Sequence, residues 1–259
     1  MAREVRHADG DRDDRGDRKQ DGQLHFRRAL ARGETRMRWW LPDAGSTFAG
    51  PIDTLFLAIL IITGIALVIV EVGLVTFVIR YRARPGRKAF YTHGSTRAEV
   101  IWTAIPAVTM VALGLISNHY WVLIKDKKSV PPNAYHLGVH AKQFEWQVTY
   151  PGPDGKLGTA DDFTVRNQLH VIVNQPFAVE LSSEDVVHSF FVPEWRLKQD
   201  AVPGMQITAW FEATKTGEFE LGCAELCGMG HYKMRARVFV HTPDEYKAWV
   251  AQQVAGGSE

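Results

Sequence analysis

The sequence predicts a two-helix transmembrane hairpin followed by an all-β domain. Two observations predict the hairpin: apolar runs at residues 54–79 and 99–124, and a short basic loop between them. A third predicts the β domain, because residues 129–242 carry short alternating or β-branched segments broken by proline, glycine and asparagine. The remaining parts are a charged tail, residues 1–45, and a C-terminal helix with its own tail, residues 243–259.

The N-terminal tail alternates arginine with aspartate, as in "DGDRDDRGDRKQDG". Such a segment buries too little apolar surface to offset its ordering entropy, so the composition predicts disorder. The tail lacks the apolar core of a signal peptide. Its aspartates cancel most of the positive charge that nucleic-acid binding requires, and we expect no nucleic-acid partner.

The two apolar runs have the length and the flanking residues of membrane spans. As a helix, a run of this length reaches roughly 39 Å, enough to cross the ~30 Å hydrocarbon layer with some tilt. Glu71 is the one ionisable residue inside the first run, and Pro106 in the second is tolerated where neighbouring helices satisfy the freed carbonyl. Trp102 and Trp121 near the ends of the second run fit the aromatic belts of a bilayer. Residues 46–128 are therefore expected to form a hairpin in a lipid membrane.

The loop between the spans, residues 80–98, contains six lysine and arginine residues. An excess of positive charge in a short loop is typical of the cytoplasmic side of a membrane. The loop therefore predicts that the β domain lies on the outer face of the membrane.

The segment "GCAELCGMGHYKM", residues 222–234, holds both cysteines of the chain together with a histidine and a methionine. Three interpretations compete: a disulfide, a zinc site and a copper site. A disulfide between Cys223 and Cys227 would close a very small loop and add little stability, and the thioether of Met234 is a poor ligand for zinc. Thiolate, imidazole and thioether donors together favour copper, and a second thiolate favours a bridged copper pair over a mononuclear blue site.

A copper pair requires a second imidazole besides His231. The segment "SSEDVVHSFFVP" offers His188, which follows a strand-like run. By spacing alone, His136, His140 and His170 remain alternatives.

The motif C-x-E-x-C-x3-H-x2-M, preceded by "SSEDVVHSFFVP", resembles the dinuclear CuA centre of cytochrome c oxidase subunit II. The resemblance covers roughly residues 54–242 and implies a cupredoxin-like Greek-key barrel. It implies six copper ligands: His188, Cys223, Glu225, Cys227, His231 and Met234. The cysteines would bridge both ions, each histidine would bind one, and Met234 and the Glu225 backbone carbonyl would be axial. The Glu225 side chain would reach a magnesium ion shared with subunit I.

The resemblance also implies a function. The chain would be the subunit that accepts electrons from cytochrome c and passes them to haem in subunit I, where oxygen is reduced to water with proton translocation. Subunits I and III are the implied partners, and no residue of this chain needs to act as acid, base or nucleophile. The alternatives are a CuA subunit of another respiratory reductase, such as nitric oxide reductase, and a membrane-anchored copper-binding module.

Five further residues match or replace family positions outside the copper motif. Glu99 matches a carboxylate at the entrance of a proton-uptake channel, and Glu184 and Asp185 match an acidic pair presented to cytochrome c. In "QFEWQVTY" the family usually has two tryptophans around one residue, the first of which receives the electron. Phe144 replaces that first tryptophan and Trp146 keeps the second, so both are expected at the donor-docking surface.

Overall fold

A computed structural model of the chain describes residues 41–256, so most of the predicted charged tail lies outside the described residues. Two long helices come first, α1 (Ala49–Tyr81) and α2 (Thr96–Lys125), and each contains one of the predicted spans. A ten-stranded β domain follows, and the described chain ends with helix α3 (Pro243–Gly256).

Helices α1 and α2 are long and apolar enough to cross a membrane by length and composition. The side chain of Ser95 caps the start of α2 by accepting a hydrogen bond from the Ala98 N–H at 3.4 Å. No residue in the most apolar stretch of either helix is buried within the described part of the chain. Both helices therefore present apolar surface that lipid or other membrane spans must cover.

The β domain is a sandwich of two five-stranded sheets. The strands, in chain order, are β1 (Tyr135–Lys142), β2 (Glu145–Tyr150), β3 (Phe163–Arg166), β4 (Gln168–Ile172), β5 (Pro176–Ser183), β6 (His188–Val192), β7 (Leu197–Ala201), β8 (Ile207–Glu212), β9 (Gly217–Cys223) and β10 (Arg235–His241). The first sheet has the order β3-β2-β1-β5-β8 and the second β4-β10-β9-β6-β7. The pairs β1–β5 and β4–β10 are parallel, and the other pairs are antiparallel.

The core lies between the two sheets because side chains alternate along each strand. In β2 the alternation places Trp146, Val148 and Tyr150 inward, with no exposed surface, while the intervening residues remain partly exposed. This two-sheet architecture confirms the predicted combination of a two-helix hairpin and a cupredoxin-like β domain.

Polar contacts join the hairpin to the β domain. The guanidinium of Arg196, just before β7, donates two hydrogen bonds to the Asp53 carboxylate in α1, at 2.7 and 3.0 Å. At the end of α2 the Lys125 ammonium donates to the Lys198 carbonyl at 2.6 Å and to the Gln199 side chain at 2.8 Å. Bidentate arginine–carboxylate pairs fix direction as well as distance. The β domain is therefore held against the ends of both helices.

Helix α3 closes one end of the sandwich over a pair of histidines. Thr242 and Glu245 exchange hydrogen bonds in a capping box that starts the helix. The Trp249 ring stacks on His170, whose Nδ1 lies 2.8 Å from His241 Nε2. Burial, and next the neighbouring His241, lower the pKa of His170 from 6.5 to about 3.

This depressed pKa predicts that the copper-free chain loses stability in acid. The fold keeps His170 neutral and so binds fewer protons than the unfolded chain. His170 makes its whole contribution to the free energy of unfolding above pH 6.5, and this contribution declines as the pH falls toward 3. The decline is at most about 1.4 kcal/mol per pH unit. Denaturant unfolding at several pH values measures the slope.

The matched variants are His170→Phe, which keeps a ring against Trp249, and His136→Gln, which changes an exposed histidine. We expect the first to flatten the acid slope and the second to leave it unchanged. An unchanged slope in His170→Phe would contradict the assignment.

Candidate metal centre

Five of the predicted donors lie in one loop, residues 223–234, which we call the ligand loop. It connects β9 to β10, and its two ends are hydrogen-bonded to each other, because the Cys223 N–H donates to the Met234 carbonyl at 3.1 Å. The Ala224 N–H donates to the Ser189 carbonyl at 3.1 Å, so the loop is also tied to β6. The first and last donors of the loop are thereby held by the sheet itself.

The two thiols lie side by side. The Cys223 and Cys227 sulfur atoms are 3.9 Å apart, far beyond the roughly 2.05 Å of a disulfide, and both cysteines are free. Metal–thiolate bonds are about 2.3 Å long. Since 3.9 Å is less than twice that length, an ion between the sulfurs reaches both, and the pair fits a bridging role.

His188 supplies an imidazole from the first residue of β6. Its side chain is fully buried, and Nδ1 lies 4.0 Å from the Cys223 sulfur. Its Nε2 lies 2.8 Å from Asp185 Oδ1, so Nε2 carries the proton and Nδ1 is left facing the thiols. His188, Cys223 and Cys227 form a group whose ligand atoms all lie within 4.8 Å of one another.

The other histidines that spacing allowed lie elsewhere. His136 is exposed near the start of β1, and His140 is bonded to Ser182 across the first sheet at 3.0 Å. His170 pairs with His241 beneath α3. The structure therefore places only His188 of these four candidates beside the thiols.

The remaining predicted donors surround the same sulfur pair. His231 Nδ1 lies 3.6 Å and Met234 Sδ 3.7 Å from the Cys227 sulfur, and the Glu225 carbonyl oxygen lies 3.2 Å from the Cys223 sulfur. Met234 and Cys227 are buried, whereas His231 is partly exposed. Two thiols, two imidazoles and a thioether form a soft donor set of the kind that copper prefers.

Burial makes the Cys227 thiol hard to ionise while no cation is bound. Burial first, and next the neighbouring Cys223 thiol, raise the pKa of Cys227 to about 11. A metal ion that binds here must displace this proton, so binding releases protons and weakens as the pH falls.

Asp185 accepts three hydrogen bonds next to the candidate site. One carboxylate oxygen accepts hydrogen bonds from His188 Nε2 at 2.8 Å and from the Val186 N–H at 2.6 Å, and the other accepts from the Gln143 N–H at 2.7 Å. Although burial acts to raise it, the bonds from His188, Gln143 and Val186 hold the pKa of Asp185 below its ordinary value. Asp185, predicted to be a docking residue, thus orients the ring of His188.

Gln143 takes a part in the site that no local sequence pattern predicts. Besides its bond to Asp185, its side-chain amide donates to the Cys227 carbonyl at 2.5 Å. Gln143 therefore joins the β1–β2 turn to the ligand loop and to the loop before β6. A sequence pattern could not have identified this role, because the two partners of Gln143 lie 42 and 84 residues away along the chain.

The two predicted aromatic residues take different positions. Phe144 lies against the ligand loop, where a Cβ built on Gly230 would come within 2.5 Å of its ring and one built on Gly228 within 3.4 Å. Trp146 is fully buried and packs edge to face against His188, with 6.2 Å between ring centroids. The expectation that Trp146 lies at the donor-docking surface is corrected, because strand alternation turns its side chain into the core.

Glu99 is not brought to this centre. It lies in the first turn of α2, at the opposite end of the helix from Lys125, which contacts the β domain. A 30-residue helix is about 45 Å long, so Glu99 is a membrane thickness away from that contact.

The fold and the candidate metal centre together define a class of protein. It is a membrane-anchored protein whose extramembrane, cupredoxin-like domain carries a cluster of side chains that could bind a soft metal ion. Two family models match the chain. Residues 141–240 match the periplasmic domain of cytochrome c oxidase subunit II, and residues 34–119 match its transmembrane domain.

Relatives match most of the chain. The alternative cytochrome c oxidase subunit 2 of Bradyrhizobium diazoefficiens is 35% identical over 240 residues, which cover 83% of this chain and 84% of that protein. The cytochrome c oxidase subunit 2 of Thermostichus vulcanus is 32% identical, covering 83% and 79%. The chain belongs to the cytochrome c oxidase subunit II family.

A crystal structure of the periplasmic domain of subunit II (CoxB) of Bradyrhizobium japonicum is similar to this chain. It is 32% identical in sequence and covers 48% of this chain and 96% of that one, with a TM-score of 0.43.

The contacts of Asp185 predict that it supports metal affinity. Asp185→Ala removes the acceptor that orients His188, and we expect the affinity for copper to fall about 10- to 100-fold. Competitive titration of the full chain against a chelator measures the loss. Glu184→Ala is the matched control, because Glu184 is the adjacent carboxylate and has no bond to His188. Equal affinities of the two variants would contradict the role.

The contact between Phe144 and Gly230 predicts a steric conflict. Gly230 has a φ of −95°, which alanine adopts freely, so Gly230→Ala tests only the collision with the ring. We expect it to lower the free energy of unfolding by about 1–3 kcal/mol. Gly222→Ala is the control, since a Cβ there has open space.

The destabilisation should be smaller in a Phe144→Ala background, which removes the ring. Denaturant unfolding of the single and double variants gives the coupling energy. Additive effects of the two substitutions would show that the ring does not occupy this space.

Proposed function

We propose that the chain is the electron-accepting subunit of a respiratory cytochrome c oxidase in a bacterial inner membrane, with its β domain on the periplasmic face. It takes electrons from a cytochrome c and delivers them to haem in subunit I, where oxygen reduction is coupled to proton translocation. One observation carries the proposal: two free thiols 3.9 Å apart, with imidazole, thioether and carbonyl donors around them.

In this proposal the six donors would hold a pair of copper ions, with Cys223 and Cys227 as the ligands that the two ions would share. A copper pair supplies a one-electron acceptor and donor whose charge is shared by two metals and two thiolates. The protein would hold the copper pair in a rigid arrangement of ligands. The paired strands hold the ends of the ligand loop, Asp185 fixes the ring of His188, and the buried Met234 keeps water from one side. Preorganised ligands limit rearrangement when the electron arrives or leaves.

The surface around the centre supports contact with other proteins. The partly exposed His231 and the exposed side chain of Glu225 leave donor atoms accessible on the ligand loop. We propose that the Glu225 carboxylate reaches a magnesium ion shared with subunit I, since magnesium prefers carboxylate oxygen. Phe144 and Glu184 would lie at the contact with the donor.

The membrane hairpin supports the proposed contacts with the other oxidase subunits. Its helices present uncovered apolar faces along both spans, which suits packing against subunits I and III. Glu99 lies in the turn that follows the basic loop, on the proposed cytoplasmic side, and there we propose it as a carboxylate at the entrance of a proton-uptake channel.

The proposal predicts two coppers per chain and a mixed-valence electron spin resonance spectrum of the loaded full chain. Cys223→Ser and Cys227→Ser should each abolish that spectrum because each removes a bridge. Met234→Leu should preserve the two-copper spectrum and mainly shift the reduction potential, since a weak axial ligand tunes the metal without bridging it.

A four-line, single-copper spectrum from a fully loaded chain would contradict the dinuclear assignment. A chain that binds two coppers but is not reduced by any c-type cytochrome would instead contradict the proposed electron donor.

A further inference from the structure

The carboxylate of Glu71 lies in the first membrane span and has no role in the site described above. Between Asp53 and Arg80 no other residue has an ionisable side chain. Glu71 is exposed, and within residues 41–256 its side chain makes no hydrogen bond or ion pair. The described part of the chain therefore leaves this carboxylate without a partner.

The charges at the two ends of α1 fix the depth of Glu71. Asp53, at the outer end, is bonded to the β domain, and Arg80 lies in the last turn, next to the basic loop. Glu71 precedes Arg80 by nine residues, a rise of about 14 Å along a helix. Half of the hydrocarbon layer is about 15 Å thick, so Glu71 lies near the middle of the membrane.

A carboxylate at this depth needs a partner. Lipid tails offer no hydrogen-bond donor, and ionisable side chains inside spans accordingly pair with groups on neighbouring helices. The residues one turn away on the same face are Leu67, Val68, Leu74 and Val75, all more than half exposed and none able to donate from its side chain. The partner of Glu71 therefore comes from another membrane span.

Gly64 makes the same face open to close packing. It lies seven residues before Glu71, which is two turns of helix and returns to nearly the same direction. A Cβ built on Gly64 would meet no atom within 4 Å, so nothing in the described chain occupies the space beside it. Small residues on a span allow the backbone of a second helix to approach closely. We call the surface formed by Gly64, Leu67, Val68, Glu71, Leu74 and Val75 the Glu71 face.

We propose that the Glu71 face packs against a membrane span of subunit I, and that a lysine or arginine side chain of that span pairs with the Glu71 carboxylate. Charge complementarity selects this occupant, because a cation cancels the negative charge that lipid would leave unpaired. Close approach at Gly64 brings that span within reach of the carboxylate. The naming of subunit I rests on the proposed function, whereas the cationic chemistry of the partner rests on Glu71 alone.

Co-purification of the intact complex tests the pairing. The affinity-tagged full chain is expressed with the other oxidase subunits and extracted from membranes in detergent, and the amount of subunit I recovered per chain is measured. Glu71→Leu and Glu71→Gln should each lower this amount about tenfold, because both leave the partner's cation unpaired. Glu71→Asp keeps the charge and should retain most of the subunit I. Val72→Leu is the matched control, since Val72 is exposed but lies about 100° away around the helix.

Two glycines test the face independently of the charge. Gly64→Ile places a bulky side chain on the Glu71 face and should also reduce the amount of subunit I recovered. Gly73→Ile is the matched control, because Gly73 lies on the opposite side of the helix from Glu71, and a Cβ there likewise meets no atom within 4 Å. We expect full recovery of subunit I in this control.

Two results would overturn the inference. One is wild-type recovery of subunit I by Glu71→Leu or by Glu71→Gln, which would show that no cation pairs with the carboxylate. The other is a larger loss in Gly73→Ile than in Gly64→Ile, which would place the contact on the opposite face of α1.

The copper content and the electron spin resonance spectrum are recorded on the same samples. Glu71 lies inside the membrane, so its variants should leave both unchanged. A wild-type chain that holds no copper pair, or that recovers no haem-containing subunit, would contradict the proposed function and with it the choice of subunit I. A normal wild-type complex that is unaffected by Glu71→Leu would contradict only the pairing.

Discussion

The antiparallel pairing of β9 with β10 determines the geometry of the centre. The hydrogen bond from Cys223 to Met234 continues that ladder into the ligand loop, so the loop begins and ends at fixed points. Within a loop of this length, Cys227 is turned back to place its sulfur 3.9 Å from that of Cys223. The rest of the site depends on this constraint, since both imidazoles and the thioether are arranged around the two sulfurs.

The centre combines a buried side with an accessible one. His188 and Met234 are buried, which keeps the ligand positions independent of solvent, whereas His231 and Met229 reach the surface. Asp185 links the two sides, because the same carboxylate orients His188 and holds the turn that carries Phe144. The orientation of His188 and the position of Phe144 are therefore coupled through a few hydrogen bonds.

Local sequence patterns predicted the membrane hairpin and the ligand loop, because length, hydropathy and ligand spacing are properties of single segments. The second imidazole was harder to identify, since His188 reaches the thiols only through the pairing of Phe190 with Cys223 across distant strands. Gln143 was missed for the same reason. The burial of Trp146 was accessible from sequence, because Trp146, Val148 and Tyr150 alternate with polar residues along β2.

We propose that the thiolates of Cys223 and Cys227 bridge two copper ions. X-ray absorption at the copper edge of the loaded full chain measures this most directly, because it reports the neighbours of each ion. We expect two sulfur neighbours for each copper and a second copper close by. Copper atoms with a single sulfur neighbour and no neighbouring copper would contradict it.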